Sequence, residues 1–265
     1  METNKINTLF DTKQGKVLSI YFTAGYPNID STAQIILALQ RNGVDLIEVG
    51  MPYSDPLADG SVIQQTSSMA ISNGMNIKLL FEQLASIKGK IDVPLVLMGY
   101  LNPILKYGIE KFCERATSVG VSGVIIPDIP LDEYEQHYKS IFEQHSLRFV
   151  FLITPSTTEE RIRQIDKLSN GFVYAVSSSS ITGKESRFSE LQREYLSRIS
   201  KLNLHNPILV GFGIHNAETF RDATEFCRGA IIGSAFLKRI SIDNDIEKNT
   251  EDFLREINEN AVKLC

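Results

Sequence analysis

The feature that most constrains this chain is an alternation. Short apolar runs ending in Gly, Pro or Asp take turns with longer amphipathic segments, and the pair recurs eight times. The runs are Val17 to Ala24, Asp45 to Val49, Pro94 to Met98, Gly123 to Pro127, Arg148 to Ile153, Phe172 to Val176, Ile208 to Gly211 and Ala230 to Gly233. Most are apolar at successive positions, as strands buried on both faces of a parallel sheet are. Helical periodicity fills Ser31–Asn42, Ile77–Lys88, Ile109–Ser118, Leu131–His145, Thr158–Leu168, Ser189–Leu202, Ala217–Thr224 and Ile246–Leu264. Each segment is long enough to return the chain to a parallel neighbour by a right-handed crossover, and eight returns close a sheet on itself. The predicted fold is an α/β chain forming a single (β/α)8 TIM barrel over residues 1–265, with an extra N-terminal helix at Asn4–Lys13 across its bottom. An open doubly wound sheet is the alternative, but it usually has fewer strands, and no G-x-G-x-x-G follows the first run.

Composition narrows the function. The 27 basic and 32 acidic residues leave a net charge of -5 with no long run of one sign, so nucleic acid is not an expected partner. Cys113, Cys227 and Cys265 are far apart and form no C-x-x-C pair, which points to neither a disulfide framework nor zinc and fits a cytoplasmic protein. No stretch approaches the roughly 18 apolar residues of a membrane span. His137, His145, His205 and His215 fall in predicted helices or loops without ligand spacing, so no metal is expected.

Two connections are longer than a strand-to-helix turn needs: Met51 to Gly60 after the second run, and Ser177 to Phe188 after the sixth. Just before the first, Glu48 interrupts the apolar Leu46-Ile47-Glu48-Val49-Gly50 near the C-terminal end of a strand, the end where barrels of this kind carry their active sites. Desolvation there favours the neutral acid, so Glu48 is poised to take and return a proton. A structural glutamate paired with a Lys or Arg from a neighbouring strand is the competing reading, but no predicted strand offers an inward-facing cation. The loop itself holds Asp55 and Asp59. Asp55-Pro56 reads as turn chemistry, while Asp59 is equally suited to capping the next helix and to reaching inward as a second acid.

Gly211-Phe212-Gly213-Ile214 follows the seventh run, and Gly233-Ser234-Ala235 follows the eighth. Barrels bind phosphate at this place, where glycines let backbone N–H groups approach an anion. Thr182-Gly183 would close a third side. Phe22, Met98, Tyr100, Ile153, Tyr174 and Phe212 stand near strand ends, where together they would line a flat apolar slot for a planar substrate.

The run Glu48-Val49-Gly50-Met51-Pro52-Tyr53-Ser54-Asp55-Pro56-Leu57-Ala58-Asp59-Gly60 resembles the signature E-x-G-x-P-[FY]-S-D-P-x-A-D-G of the tryptophan synthase alpha chain family. Phe22-Thr23-Ala24-Gly25-Tyr26-Pro27, Tyr100-Leu101-Asn102-Pro103, Pro127-Asp128-Ile129-Pro130, Thr182-Gly183, Gly211-Phe212-Gly213-Ile214 and Gly233-Ser234-Ala235 follow in the family's order. The resemblance implies retro-aldol cleavage of indole-3-glycerol phosphate to indole and D-glyceraldehyde 3-phosphate. Glu48 would move the protons and Asp59 would accept the indole N–H. Phe22, Tyr100, Tyr174 and Phe212 would hold the ring, and Thr182, Gly183, Gly213, Gly233 and Ser234 the phosphate. It also implies no cofactor on this chain and an α2β2 assembly with a beta chain that carries pyridoxal phosphate, with Asn102-Pro103 and Asp55-Pro56 at or near the docking surface.

The chain departs from the family after the sixth run. Where S-R-x-G-[VI]-T-G is common, Ser177-Ser178-Ser179-Ser180-Ile181-Thr182-Gly183 lacks the arginine and the first glycine, which should alter the hinge of a loop that closes over substrate. Ser61 replaces a commoner proline and should loosen the start of the next helix. Two other functions fit this fold: a stand-alone indole-releasing lyase, and a non-catalytic barrel that activates a beta chain. Retention of both Glu48 and Asp59 argues against the second.

Overall fold

The computed structural model describes residues 4–57, 59–177, 189–243 and 245–262. Along the chain run α1 (Lys5–Thr12), β1 (Val17–Thr23), α2 (Ser31–Arg41), β2 (Leu46–Gly50), α3 (Ser61–Ser72), α4 (Ile77–Ser86), β3 (Leu95–Met98), α5 (Leu101–Tyr107), α6 (Ile109–Ser118) and β4 (Val121–Ile125). Then come α7 (Leu131–Glu133), a π-helical turn at Tyr134–Tyr138, α8 (Lys139–Gln144), β5 (Arg148–Val150), β6 (Leu152–Ile153), α9 (Glu159–Leu168) and β7 (Val173–Val176). The rest is α10 (Glu190–Ser200), β8 (Ile208–Gly211), α11 (Ala217–Phe226), β9 (Gly229–Ile232), α12 (Ser234–Arg239) and α13 (Ile246–Val262).

All the pairings are parallel, in the order β5-β4-β3-β2-β1-β9-β8-β7-β6. Only Phe151 separates β5 from β6, so the two edges of the sheet are one continuous strand and the sheet wraps around as a barrel. Because the strands are parallel, every C-terminal end opens at the same mouth.

The other mouth is plugged by α1. Asn4 caps this helix by accepting from the Ile6 N–H, and its amide nitrogen donates to the Ser122 and Ser146 carbonyls at 2.8 and 2.9 Å. Ile6 is wholly buried, in space opened by two glycines: a Cβ at position 123 would come within 2.8 Å of its Cδ1, and one at 171 within 3.1 Å of its Cγ2. Phe10 packs on Phe172 with ring centroids 6.1 Å apart. The extra N-terminal helix is therefore where the sequence predicts it.

Three helices are not among the periodic segments, although a helix after Asp59 and a short helical turn after Ala235 are expected from the flanking residues; each lacks periodicity for a local reason. The buried face of α3 is Thr66, Ser67 and Ala70, so it has no apolar stripe to read. In α5, Pro103 reads as a breaker but stands in the first turn, where its missing N–H costs no helical bond. The one-turn α12 is too short for periodicity to emerge. Leu131–His145, predicted as one helix, is interrupted by the π turn, which sets Tyr134 against Phe149 at 4.2 Å and Phe151 at 5.0 Å between centroids.

Candidate active site

Strand pairing decides which side chains enter the barrel. Ser19 stands beside Leu46, Tyr21 beside Glu48 and Thr23 beside Gly50 in the β1–β2 register, and Glu48 stands beside Val96. Alternate residues of a strand face opposite sides, so Ser19, Tyr21, Glu48 and Gly50 share one face. On the other side of the barrel Tyr174 pairs with Leu209 and Val176 with Gly211. The tyrosine from β1 and the tyrosine from β7 use the same device: a Cβ at Gly50 would overlap the Tyr21 hydroxyl, and one at Gly211 would overlap the Tyr174 hydroxyl. Two glycines at strand ends thus make room for two phenols from neighbouring strands.

Glu48 lies in this layer with no exposed surface. Ser19 Oγ donates to its Oε1 at 2.9 Å, and Oε2 has no hydrogen-bond partner among the described residues. Burial pushes the carboxyl up to about 8, opposed by the Ser19 hydrogen bond. One cation does enter the barrel interior, Arg148, but it sits at the α1 end and donates to Asn7 Oδ1 at 2.6 Å. Among the described residues, the structural reading of Glu48 as half of an ion pair therefore has no partner.

Asp59 answers the question its sequence left open. The following helix starts at Ser61 with Gly60 at its cap, while the Asp59 carboxyl accepts from the Tyr100 hydroxyl at 3.2 Å. Tyr100 follows β3, so the bond ties the loop after β2 to the next strand end. The backbone carbonyl of Asp59 is held by Gln64 Nε2 at 2.9 Å, and Tyr53 leans on Tyr100 with centroids 5.0 Å apart. Half-buried, the Asp59 carboxyl is pushed up to about 6 by desolvation, with the Tyr100 bond opposing. Glu48 and Asp59 both act electrostatically on Tyr21 and Tyr174, whose own ionisation burial drives far upward, so these phenols are neutral.

The turn after β8 has two successive residues in left-handed conformation, Phe212 at φ 70° and Gly213 at φ 77°. Glycine adopts this freely, whereas phenylalanine is strained there by about 1–3 kcal/mol. Ser177, at the end of β7, braces the turn by donating to the Phe212 carbonyl at 2.6 Å and the Gly211 carbonyl at 3.0 Å. Gly213 is exposed, and Gly233 and Ser234, at the start of α12, are partly so. A Cβ at Gly233 would come within 3.2 Å of the Tyr21 ring. One tyrosine thus stands next to both halves of the site, and the parallel strands put the two acids and the glycine turns at one mouth.

One predicted contact moves. Phe22 pairs with Val49, on the face opposite Tyr21 and Glu48, and is wholly buried. It packs outside the barrel interior, and Tyr21, one residue earlier, is the β1 aromatic at the slot. The strand period of two makes such a one-residue slip a change of face. Tyr100, Tyr174, Phe212, Gly213, Gly233 and Ser234 are at the predicted mouth, and Thr182 and Gly183 lie outside the described residues. A cavity of about 650 Å³ opens at the other mouth, lined by Asn7, Arg148, Asp166, Asn170, His205 and Asn206 among others. Asp166, its one carboxylate, already accepts from the His205 and Asn206 backbone N–H groups and from Asn206 Nδ2. That cavity therefore has no free acid for the chemistry.

Residues 9–264 match the family model described as tryptophan synthase alpha chain. The chain belongs to the tryptophan synthase alpha chain family. It is 55% identical over 238 residues to the tryptophan synthase alpha chain of Flavobacterium psychrophilum, covering 90% of this chain and 94% of the relative. It is 57% identical over 226 residues to that of Flavobacterium johnsoniae, covering 85% and 89%. Among solved structures it is similar to the alpha subunit from Legionella pneumophila, with a TM-score of 0.88 at 28% identity and 98% of each chain covered. It is also similar to a chain of tryptophan synthase from M. tuberculosis, with a TM-score of 0.83 at 28% identity, covering 96% of this chain and 100% of that one. As a member of this family the chain is a carbon-carbon lyase of tryptophan biosynthesis, cleaving indole-3-glycerol phosphate to indole and glyceraldehyde 3-phosphate.

Sequence reading missed Tyr21 and Ser19. The signal was available: β1 carries Ser19, Tyr21 and Thr23 at alternate positions and β2 carries a lone Glu48, and pairing the two polar faces would have grouped Ser19 and Tyr21 with Glu48.

Proposed function

We propose that Glu48 carries the protons of this cleavage and that Asp59 stabilises the ring from which the bond departs. A proton added to indole C3 leaves a cationic indolenine. The bond between C3 and the glycerol carbon then breaks, its electron pair returning to the ring. The hydroxyl on that carbon loses its proton to a base and becomes the aldehyde. Both transfers need a carboxyl that is stable in either state near neutrality, and a group at about 8 meets that need. Asp59 accepts the indole N–H and offsets the charge on the ring, so it serves best as an anion.

The ring would lie among Tyr21, Tyr100, Tyr174 and Phe212, and the phosphate against backbone N–H groups of Gly213, Gly233 and Ser234, with Thr182 and Gly183 closing the third side. The phosphate is remote from the breaking bond, so its binding energy goes into holding the glycerol chain. General acid/base help is worth about 10²- to 10⁴-fold, leaving the rest to positioning and charge stabilisation. No step uses a cofactor held by this chain.

The observation that carries this reading is Tyr21, which feels both carboxyls and lies close enough to Gly233 that a Cβ there would crowd its ring. The test is Glu48→Gln, assayed for indole release and for binding of glycerol 3-phosphate. Loss of release with retained binding supports the assignment, and near-wild-type release removes Glu48 from the mechanism.

The physiological form is a cytoplasmic α2β2 complex whose beta chain holds pyridoxal phosphate and receives the indole. Asp55 and Asn102 are exposed at the active-site mouth, where a docked chain would cover the exit. Indole release measured with and without a beta chain separates this from the stand-alone lyase, whose rate the beta chain would leave unchanged.

A further inference from the structure

Glu48 has two chemically different oxygens in this barrel. Oε1 accepts from Ser19 Oγ at 2.9 Å, while Oε2 is buried with no partner among the described residues. Ser19 is itself without exposed surface, and Glu48 is its hydrogen-bond partner. A buried hydroxyl with one partner donates to it, because accepting instead would orphan its own hydrogen. That donation is possible whether Glu48 is a carboxylate or an acid protonated on Oε2. Protonation on Oε1 would break it.

We infer that Ser19 is a positioning residue for the proton shuttle: it reserves Oε1 as a permanent acceptor and makes Oε2 the oxygen that takes and returns the proton. The inference rests on the reading of Glu48 as the acid/base group. The hydroxyl also sets the pH at which the shuttle is loaded, since it stabilises the carboxylate against burial. Among the described residues, the other titratable groups facing Glu48 are Tyr21 from β1 and Tyr174 from β7, both neutral, and Asp59 acts on the same two phenols. No cation is in this set, so Ser19 is the group that holds the carboxylate's titration down.

The test uses the full chain with Ser19→Ala, which removes one oxygen from a buried site, and Ser19→Thr, which keeps the hydroxyl. The Glu48 side-chain carboxyl is followed by ¹³C NMR against pH, and indole release from indole-3-glycerol phosphate is measured over the same range. A hydrogen bond to a charged group is worth enough to move a titration by about one pH unit. Ser19→Ala should raise the Glu48 midpoint by about that much, move the matching limb of the kcat profile with it, and lower kcat about tenfold with KM within about twofold. Ser19→Thr should restore the midpoint. A midpoint unmoved in Ser19→Ala overturns the inference while leaving the Glu48 mechanism standing. A midpoint that moves while the kinetic limb stays overturns the assignment of Glu48 beneath it, a result Glu48→Gln would report independently through surviving indole release.

Discussion

The Tyr21 hydroxyl occupies the space that a side chain at position 50 would fill: a Cβ on Gly50 would overlap it. The pairing register places Tyr21 beside Glu48 and Gly50 two residues further along the same face. The glycine of the second strand therefore exists for the tyrosine of the first, and the two together set the shape of the slot over the acid.

Gly50→Ala must push the Tyr21 phenol away from Glu48. Overpacking of this kind destabilises by about 1–3 kcal/mol, and displacement of a ring in the substrate slot should lower kcat/KM by about 10- to 100-fold. Thermal melts and indole-release kinetics check it. Gly211→Ala should do the same through Tyr174. A variant with native kinetics would show that the ring is free to move without consequence.

Phe22 and Tyr21 make a paired experiment. Phe22→Leu, on the outer face of β1, should lower the melting temperature while leaving KM for indole-3-glycerol phosphate within about twofold, because its loss is one of packing. Tyr21→Leu should raise KM or lower kcat at nearly native stability per unit volume removed. Reversed outcomes would return Phe22 to the site.

Glu48 also links stability to pH. Its folded-state value, about 8, is above the ordinary 4.5, so between these values the folded chain binds the proton that the unfolded chain has released. Stability is full below about pH 4.5, declines as pH rises, and has lost this contribution above about 8, by up to roughly 3–5 kcal/mol. Glu48→Gln should flatten that decline, making the variant more stable than the parent at pH 8. Urea melts across pH 5 to 9 measure the difference, and parallel curves for the two proteins would mean that Glu48 does not titrate here.

Ile6→Ala should destabilise by about 2–5 kcal/mol, since the side chain is wholly buried against Gly123 and Gly171 at the closed mouth. Activity at a temperature where the variant is folded should be nearly unchanged, because α1 is at the opposite end from Glu48. A large fall in kcat with native stability would contradict that separation.

The alternation of apolar and amphipathic segments was enough to place every strand within two residues and to close the barrel, because burial on both faces leaves a short uninterrupted apolar run whose length and flanking Gly or Pro set it apart from a helix. Glu48 was legible for the same reason: a carboxyl inside such a run is conspicuous. The same logic hid α3, whose buried face is made of small polar residues, and α5, whose proline imitates a break.

Sequence by itself thus determined the fold, the family and the acid at the end of β2, all of which follow from patterns that are local in the chain. Tertiary structure alone decided that Tyr21 and not Phe22 faces that acid, that Asp59 bonds Tyr100 instead of capping its helix, and that Ser19 holds one oxygen of Glu48 and leaves the other unpartnered. Those facts depend on register between strands distant in sequence, and a shift of one residue exchanges the inside of a barrel for its outside.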